Sequence, residues 1–331
     1  MAHSDTIAAE RARAADSDSV IDASLLGRFK GERPKPAPWV ATALAQEPER
    51  SRFVSGGAGI ELLTWGDVGK PGLLFLHGNG AHADWWSFIA PYFAADYRCA
   101  AISWSGMGGS DWRDAYDLST FAQEALDAIA QSGLDNSKHK PVLVGHSFGG
   151  QPLMQVAAHH ADRIAGGVMV DSFVPPPDRK PGWATAGAPS RRYPQIADAL
   201  ARYRFAPEQD SAYPEIVDFI ARNSLRWAEA DADGPAGWTW KFDPKLWANM
   251  NRSRANELLE QAALPIALVF GQDSLLVRAE TAAEMQQRLP NCAIMTAIPH
   301  ARHHIMVDQP IALISALRVA VQAITRLSEA A

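Results

Sequence analysis

The sequence contains few of the features that mark secreted or membrane-embedded proteins. Only two cysteines, Cys99 and Cys292, occur in 331 residues. Each stands beside a predicted core strand, so no disulfide framework is expected. No apolar run reaches the about 18 residues that a membrane-spanning helix requires, and residues 1–28 lack the apolar centre of a signal peptide. We therefore expect a cytoplasmic, soluble protein with no membrane partner.

An excess of positive charge is also missing. The formal net charge is -6 and the isoelectric point is near 5.9, which gives no electrostatic reason to expect a nucleic-acid partner. The hydrophobic content of 47% with 21% charged residues argues against extended disorder. A chain of this length accommodates one large α/β domain with an insertion, or two small domains.

Apolar runs alternate with helix-compatible segments along most of the chain. One of these helix-compatible segments, Asp84 to Phe93, is predicted to form a helix. The alternation stops after residue 172 and returns near residue 263, which predicts a doubly wound, mostly parallel α/β sheet with a helical cap inserted after the sixth strand. The predicted organisation is an N-terminal extension over 1–50, a core over 51–172 and 263–331, and a cap over 173–262.

The N-terminal extension leaves two interpretations open. Residues 1–50 are rich in Ala, Ser, Asp and Arg and then carry Pro34, Pro36 and Pro38. They form either a tail or an arm that joins subunits of a homo-oligomer, and order is expected to begin near Arg52.

The most informative motif is Gly145-His146-Ser147-Phe148-Gly149, which follows an apolar, strand-like run and precedes a helix-compatible segment. A serine at such a strand–turn–helix apex has a strained backbone and an exposed hydroxyl. The glycines allow the strand and the helix to approach closely. The N–H of Phe148 opens the helix and points toward the anion that forms when Ser147 attacks a carbonyl.

A serine nucleophile needs a neutral imidazole within hydrogen-bond reach. The loop after the last predicted strand carries three histidines, His300, His303 and His304, and one of them is the expected base. Three histidines within five residues also suit zinc, but no cysteine or His-Glu-x-x-His motif accompanies them. No metal and no cofactor is therefore expected.

The remaining groups also follow predicted strands, at the sheet edge where open α/β proteins bind ligands. The glycine-rich loop His77-Gly78-Asn79-Gly80 can place the Asn79 N–H beside that of Phe148. The two N–H groups would together form an oxyanion hole. Two aspartates follow later strands, Asp171 and Asp273, and either can orient the histidine.

These motifs, in this order, make residues 50–327 resemble the α/β-hydrolase superfamily. The resemblance rests on four segments: 77–80, 105–111 (Ser-Gly-Met-Gly-Gly-Ser-Asp), 145–150 and 303–310 (His-His-Ile-Met-Val-Asp-Gln-Pro). It implies that the catalytic histidine is His303, seven residues before the proline. In the superfamily the acid usually follows the seventh strand, and the corresponding position in this chain is Ser274. The resemblance therefore favours Asp171, an alternative placement in some members, and keeps Asp273 as the second candidate.

The resulting hypothesis is a serine hydrolase that cleaves a carboxylic ester or a lactone through an acyl-enzyme on Ser147. The predicted cap contains five tryptophans, Trp183, Trp227, Trp238, Trp240 and Trp247. This aromatic insertion predicts a bulky apolar or aromatic small-molecule substrate. Rival functions on the same residues are a C–C bond hydrolase, a perhydrolase, a hydroxynitrile lyase, and a ligand receptor without turnover. The residues expected to line the substrate pocket are Gly78, Trp104, Met107, Trp183 and His304.

Overall fold

The apolar runs of the sequence form the strands of one eight-stranded sheet, accompanied by a separate strand pair. The computed structural model describes residues 24–174, 190–232, 234–251 and 257–330. The strands within these residues are β1 (Glu49–Ser55), β2 (Ala58–Trp65), β3 (Gly72–Leu76), β4 (Arg98–Ile102), β5 (Val142–His146), β6 (Gly166–Val170), β7 (Leu225–Ala228), β8 (Gly237–Trp240), β9 (Ile266–Gly271) and β10 (Cys292–Ile298).

The large sheet is mostly parallel, as predicted. Its strand order is β1-β2-β4-β3-β5-β6-β9-β10. Strand β2 is antiparallel to both of its neighbours, and the pairs from β4 to β10 are parallel. In register, Leu76 lies opposite Gly145 and His146 lies opposite Val170. The loops that follow β3, β5, β6 and β9 therefore meet at one edge of the sheet, where this fold class binds ligands.

Helices flank the sheet and connect its parallel strands. Helix α2 packs against α3 and β4, and the final helix α9 packs against β6, β9 and β10. The helices of the described residues are α1 (Pro38–Leu44), α2 (Leu118–Gln131), α3 (Gly150–His159), α4 (Ile196–Leu200), α5 (Pro214–Asn223), α6 (Leu258–Gln261), α7 (Ala279–Arg288), α8 (Ile305–Asp308) and α9 (Pro310–Ala330).

The predicted helix from Asp84 to Phe93 is wrong. The segment forms two short 3₁₀ turns, Ala83–Trp86 and Ala90–Tyr92. Residues 81–91 are all buried, so the segment has no solvated face of the kind an amphipathic helix shows. Pro91 also lacks the N–H that a continuous helix would need at that position.

Helix α9 is the longest helix of the described residues and is rich in apolar side chains. By length and composition alone it could cross a membrane, with a mean hydropathy of 1.4 over its best 18-residue window. Its buried residues, including Leu313, Leu317 and Val321, lie on the side that packs on the sheet. The helix thus packs one face against the sheet.

Residues 24–37 and Ser190–Trp240 form a smaller compact unit. Within it the backbone N–H of Ala37 donates to Glu215, and Arg222 donates to the carbonyl of Gly31. Strands β7 and β8 pair as an antiparallel ribbon. The insertion was predicted to be helical, but it also contains this strand pair. Its alternating aromatic and polar residues suit paired strands.

The other described residues form the larger unit that contains the eight-stranded sheet. Structure begins before the expected point near Arg52, since α1 spans Pro38–Leu44 and β1 begins at Glu49. Residues 24–50 pack against their own chain, as when Tyr92 donates to the Trp39 carbonyl. Residues 1–23 lie outside the described residues, so the oligomerisation arm stays a prediction, as do the predicted domain boundaries.

Candidate active site

Ser147 occupies a sharp turn between β5 and α3. Its φ of 51° lies in the left-handed region, a conformation that a serine adopts only where the surroundings enforce it. A Cβ atom on Gly145 would lie 2.6 Å from the Gly149 carbonyl oxygen, and one on Gly149 would lie 2.5 Å from the Leu76 carbonyl oxygen. Glycine is required at both positions because strand, helix and the neighbouring loop touch there.

His303 lies in the loop between β10 and α8, with its ring beside Ser147. The distance from His303 Nε2 to Ser147 Oγ is 3.0 Å, and the distance from His303 Nδ1 to Asp171 Oδ2 is 2.7 Å. A carboxylate can only accept, so Nδ1 carries the proton that is donated to Asp171. Nε2 is then the neutral acceptor for the serine proton, which is the tautomer a general base requires.

Of the two candidate acids, Asp171 is the one that contacts His303. Asp171 directly follows β6, is 1% exposed, and has a φ of 41°. Its Oδ1 accepts the Gly271 N–H at 2.8 Å, and its Oδ2 also accepts the Ser274 hydroxyl at 2.7 Å. Asp273 is exposed, and its backbone N–H donates to the Ala301 carbonyl. Both ring nitrogens of His303 are already hydrogen bonded to other residues.

The loop after β3 lies directly against the serine turn. A Cβ atom on Gly78 would be 3.0 Å from the Ser147 Cβ, which is closer than most Cβ contacts, so glycine suits this close approach of the backbone. His77 braces the loop: its Nδ1–H donates to the Gly78 carbonyl, and its Nε2 accepts the Trp104 N–H. Burial lowers the pKa of His77 to about 3, so the ring is neutral and keeps both bonds at neutral pH.

The Asn79 side chain is held by a residue distant in the sequence. Trp247 donates its indole N–H to Asn79 Oδ1 at 2.9 Å. The same indole ring packs edge-on against Phe148, with ring centroids 5.6 Å apart. Trp247 thus links the two residues that were predicted to supply the oxyanion N–H groups.

Three histidines lie close together around His303, the candidate general base, but they are not the same three that the loop sequence suggested. His146, His303 and His304 each place one ring nitrogen within 4.8 Å of the others, a spacing that could hold a metal ion. Burial holds the pKa of His146 well below its usual range, and its Nε2–H donates to the His303 carbonyl. His300 is exposed. The hydrogen bonds at His303 suit proton transfer, since both of its nitrogens are engaged by Asp171 and Ser147.

The residues predicted to line the pocket occupy different environments. Gly78 is beside Ser147, and His304 packs against His303 at 4.6 Å between ring centroids. Trp104 and Met107 are fully buried in the core cluster, where the Trp104 indole donates to the His77 carbonyl. Trp183 lies outside the described residues.

Two residues at the site were not assigned a role from the sequence. Ser274 occupies the slot where the resemblance led us to look for the acid, and Trp247 was counted with the aromatic insertion. Trp247 lies 168 positions from Asn79 in the chain. No local motif marks either residue, because their roles depend on contacts between distant segments.

Comparison with known proteins shows the family to which the chain belongs. The model of the alpha/beta hydrolase family matches residues 73–317, which is most of the chain. The chain belongs to this family. Among the relatives of this alpha/beta hydrolase is the esterase Rv0045c of Mycobacterium tuberculosis, 25% identical over 287 residues, which cover 82% of this chain and 88% of the relative.

Two further similarities extend over most of this alpha/beta hydrolase. The pimeloyl-[acyl-carrier protein] methyl ester esterase of Nitrosomonas europaea is 24% identical over 259 residues, which cover 74% of this chain and 93% of that protein. The thioesterase domain from the curacin biosynthetic pathway superposes with a TM-score of 0.65 at 23% identity, covering 81% of this chain and 98% of the domain. The last similarity shows the shared fold.

Proposed function

We propose that this protein is a serine hydrolase that cleaves a carboxylic ester or a lactone through an acyl-enzyme on Ser147. The observation that carries the proposal is the continuous hydrogen-bonded series from Ser147 Oγ through His303 to Asp171, with distances of 3.0 and 2.7 Å. The relatives named as esterases support the reaction class. We also propose that the protein is cytoplasmic, as the sequence led us to expect.

In the first half of the reaction, Ser147 Oγ attacks the carbonyl carbon while its proton moves to His303 Nε2. Asp171 stabilises the imidazolium that forms. The backbone N–H groups of Phe148 and Asn79 hold the tetrahedral oxyanion. The carbon–oxygen bond then breaks, and the leaving alkoxide takes the proton from His303.

In the second half, water attacks the acyl-enzyme. His303 removes a proton from the water and returns it to Ser147 Oγ as the acyl–serine bond breaks, which releases the carboxylic acid. The apolar rings of Phe148 and Trp247, which pack together beside Asn79, support a bulky apolar or aromatic substrate.

The direct test is covalent labelling with a fluorophosphonate, in which Ser147 Oγ attacks phosphorus and fluoride leaves. We expect one label per chain, mapped by peptide mass spectrometry to Ser147, and loss of ester hydrolysis in proportion to labelling. A label on another residue, or none, would contradict the proposal. Release of one product per site without further turnover would favour the ligand receptor.

Substrate size is tested with a series of aryl esters and lactones. We expect kcat/KM to rise from the acetate to esters with larger apolar or aromatic acyl groups, because these can contact the Phe148 and Trp247 rings. A strong preference for the acetate would contradict the proposed substrate class while leaving the serine mechanism intact.

Replacing Trp247 with phenylalanine removes the indole N–H but keeps an aromatic ring beside Phe148. We expect kcat/KM for a p-nitrophenyl ester to fall by about two- to tenfold, the value of one neutral hydrogen bond, because the Asn79 side chain loses its donor. The matched control is Trp227→Phe, which removes an exposed indole N–H donated to Glu229. Equal effects in the two variants would contradict a role for Trp247 at the site.

A further inference from the structure

The hydroxyl of Ser274 makes the same contact with Asp171 that His303 makes. Both groups lie 2.7 Å from Asp171 Oδ2, and Ser274 is only 6% exposed. Ser274 follows β9, whereas Asp171 follows β6. These two strands are neighbours in the sheet, and their pairing brings together residues that are 103 positions apart in the chain.

The direction of this hydrogen bond is fixed by the groups around it. Ser274 Oγ accepts the backbone N–H groups of Leu276 and Val277, each at 3.1 Å. These bonds occupy the acceptor capacity of the hydroxyl and leave its one proton to be donated. Asp171, as a carboxylate, can only accept it.

We propose that Ser274 is a positioning residue that orients the Asp171 carboxylate toward His303, an inference that rests on the proposed function. The Gly271 N–H holds one carboxylate oxygen, and Ser274 holds the other at the point where His303 Nδ1–H must reach it. Two donors from the β9 turn thereby fix the plane of a buried carboxylate. Without Ser274, Oδ2 keeps His303 as its partner but loses the second donor that restrains its rotation.

The effect should appear in the chemical step and not in substrate binding. We expect Ser274→Ala to lower kcat by about tenfold, the loss of a hydrogen bond to a charged group, with KM changed by less than about twofold. Ser274→Thr retains the hydroxyl and should remain within about threefold of the wild-type kcat. The downfield proton resonance of His303 Nδ1–H should shift in the alanine variant and stay in place in the threonine variant.

A matched control separates this role from a turn-capping role. Ser137 also accepts a backbone N–H two residues ahead, from His139, so Ser137→Ala removes a comparable turn contact without touching Asp171. Wild-type kcat in Ser274→Ala, an unmoved resonance, or equal losses in the alanine and threonine variants would overturn the inference. These outcomes are distinct from failure of the proposed function, which would appear as retained activity in Ser147→Ala.

Discussion

Ser147→Ala should abolish ester hydrolysis, with kcat lowered by roughly 10⁴- to 10⁶-fold. The hydroxyl that attacks the carbonyl would be gone, and only the oxyanion donors and substrate binding would remain to accelerate direct attack by water. The substitution should leave the fold intact, because the backbone strain at a φ of 51° is similar for alanine and serine. The measurement is steady-state hydrolysis of an activated ester together with thermal unfolding.

The control for this variant is Ser315→Ala, which removes an exposed hydroxyl on α9 that donates to the Ile311 carbonyl. We expect wild-type kinetics from it. Retention of more than about a hundredth of the wild-type kcat in Ser147→Ala, with a normal unfolding temperature, would assign the nucleophile to another residue.

The sequence was informative where local chemistry determines local structure. The run from Val142 into Gly145-His146-Ser147 could be predicted as a strand and turn because buried parallel strands are continuously apolar and tight turns need glycine. Since carboxyl ends of parallel strands share one edge, the loop after β3 and the one after β10 could also be predicted to approach Ser147. The contact between His303 and Ser147 agrees with that reasoning.

The sequence was less informative where distant segments compete or combine. Asp171 and Asp273 both follow strands, so their positions alone left both open. The resemblance favoured Asp171, and the structure places that buried carboxylate 2.7 Å from His303, whereas Asp273 is exposed. The segment from Asp84 to Phe93 was predicted as one helix but forms two 3₁₀ turns, because it is buried on all sides and Pro91 cannot donate a helical hydrogen bond. Ser274 and Trp247 were given no role because neither lies in a recognisable motif, and each contacts a partner more than 100 positions away.

Asp171→Asn should lower kcat by about 10³- to 10⁴-fold, the cost of removing the acid from such a series. Asp171 accepts one hydrogen bond at Oδ1 and two at Oδ2, but asparagine offers only one oxygen. If that oxygen faces Gly271, the amide NH₂ points at His303 Nδ1 and drives the imidazole into the wrong tautomer. If it faces His303, the NH₂ collides with the Gly271 N–H.

The same substitution at the other candidate, Asp273→Asn, is the matched control. Asp273 is exposed and contributes its backbone N–H, which the substitution preserves, so kcat should stay within about twofold of the wild-type value because exposed substitutions away from a network have small effects. Circular dichroism and thermal unfolding of both variants would show whether each is folded. If Asp273→Asn shows the large loss and Asp171→Asn does not, the acid is Asp273, and the loop after β9 must move during turnover to bring it to His303.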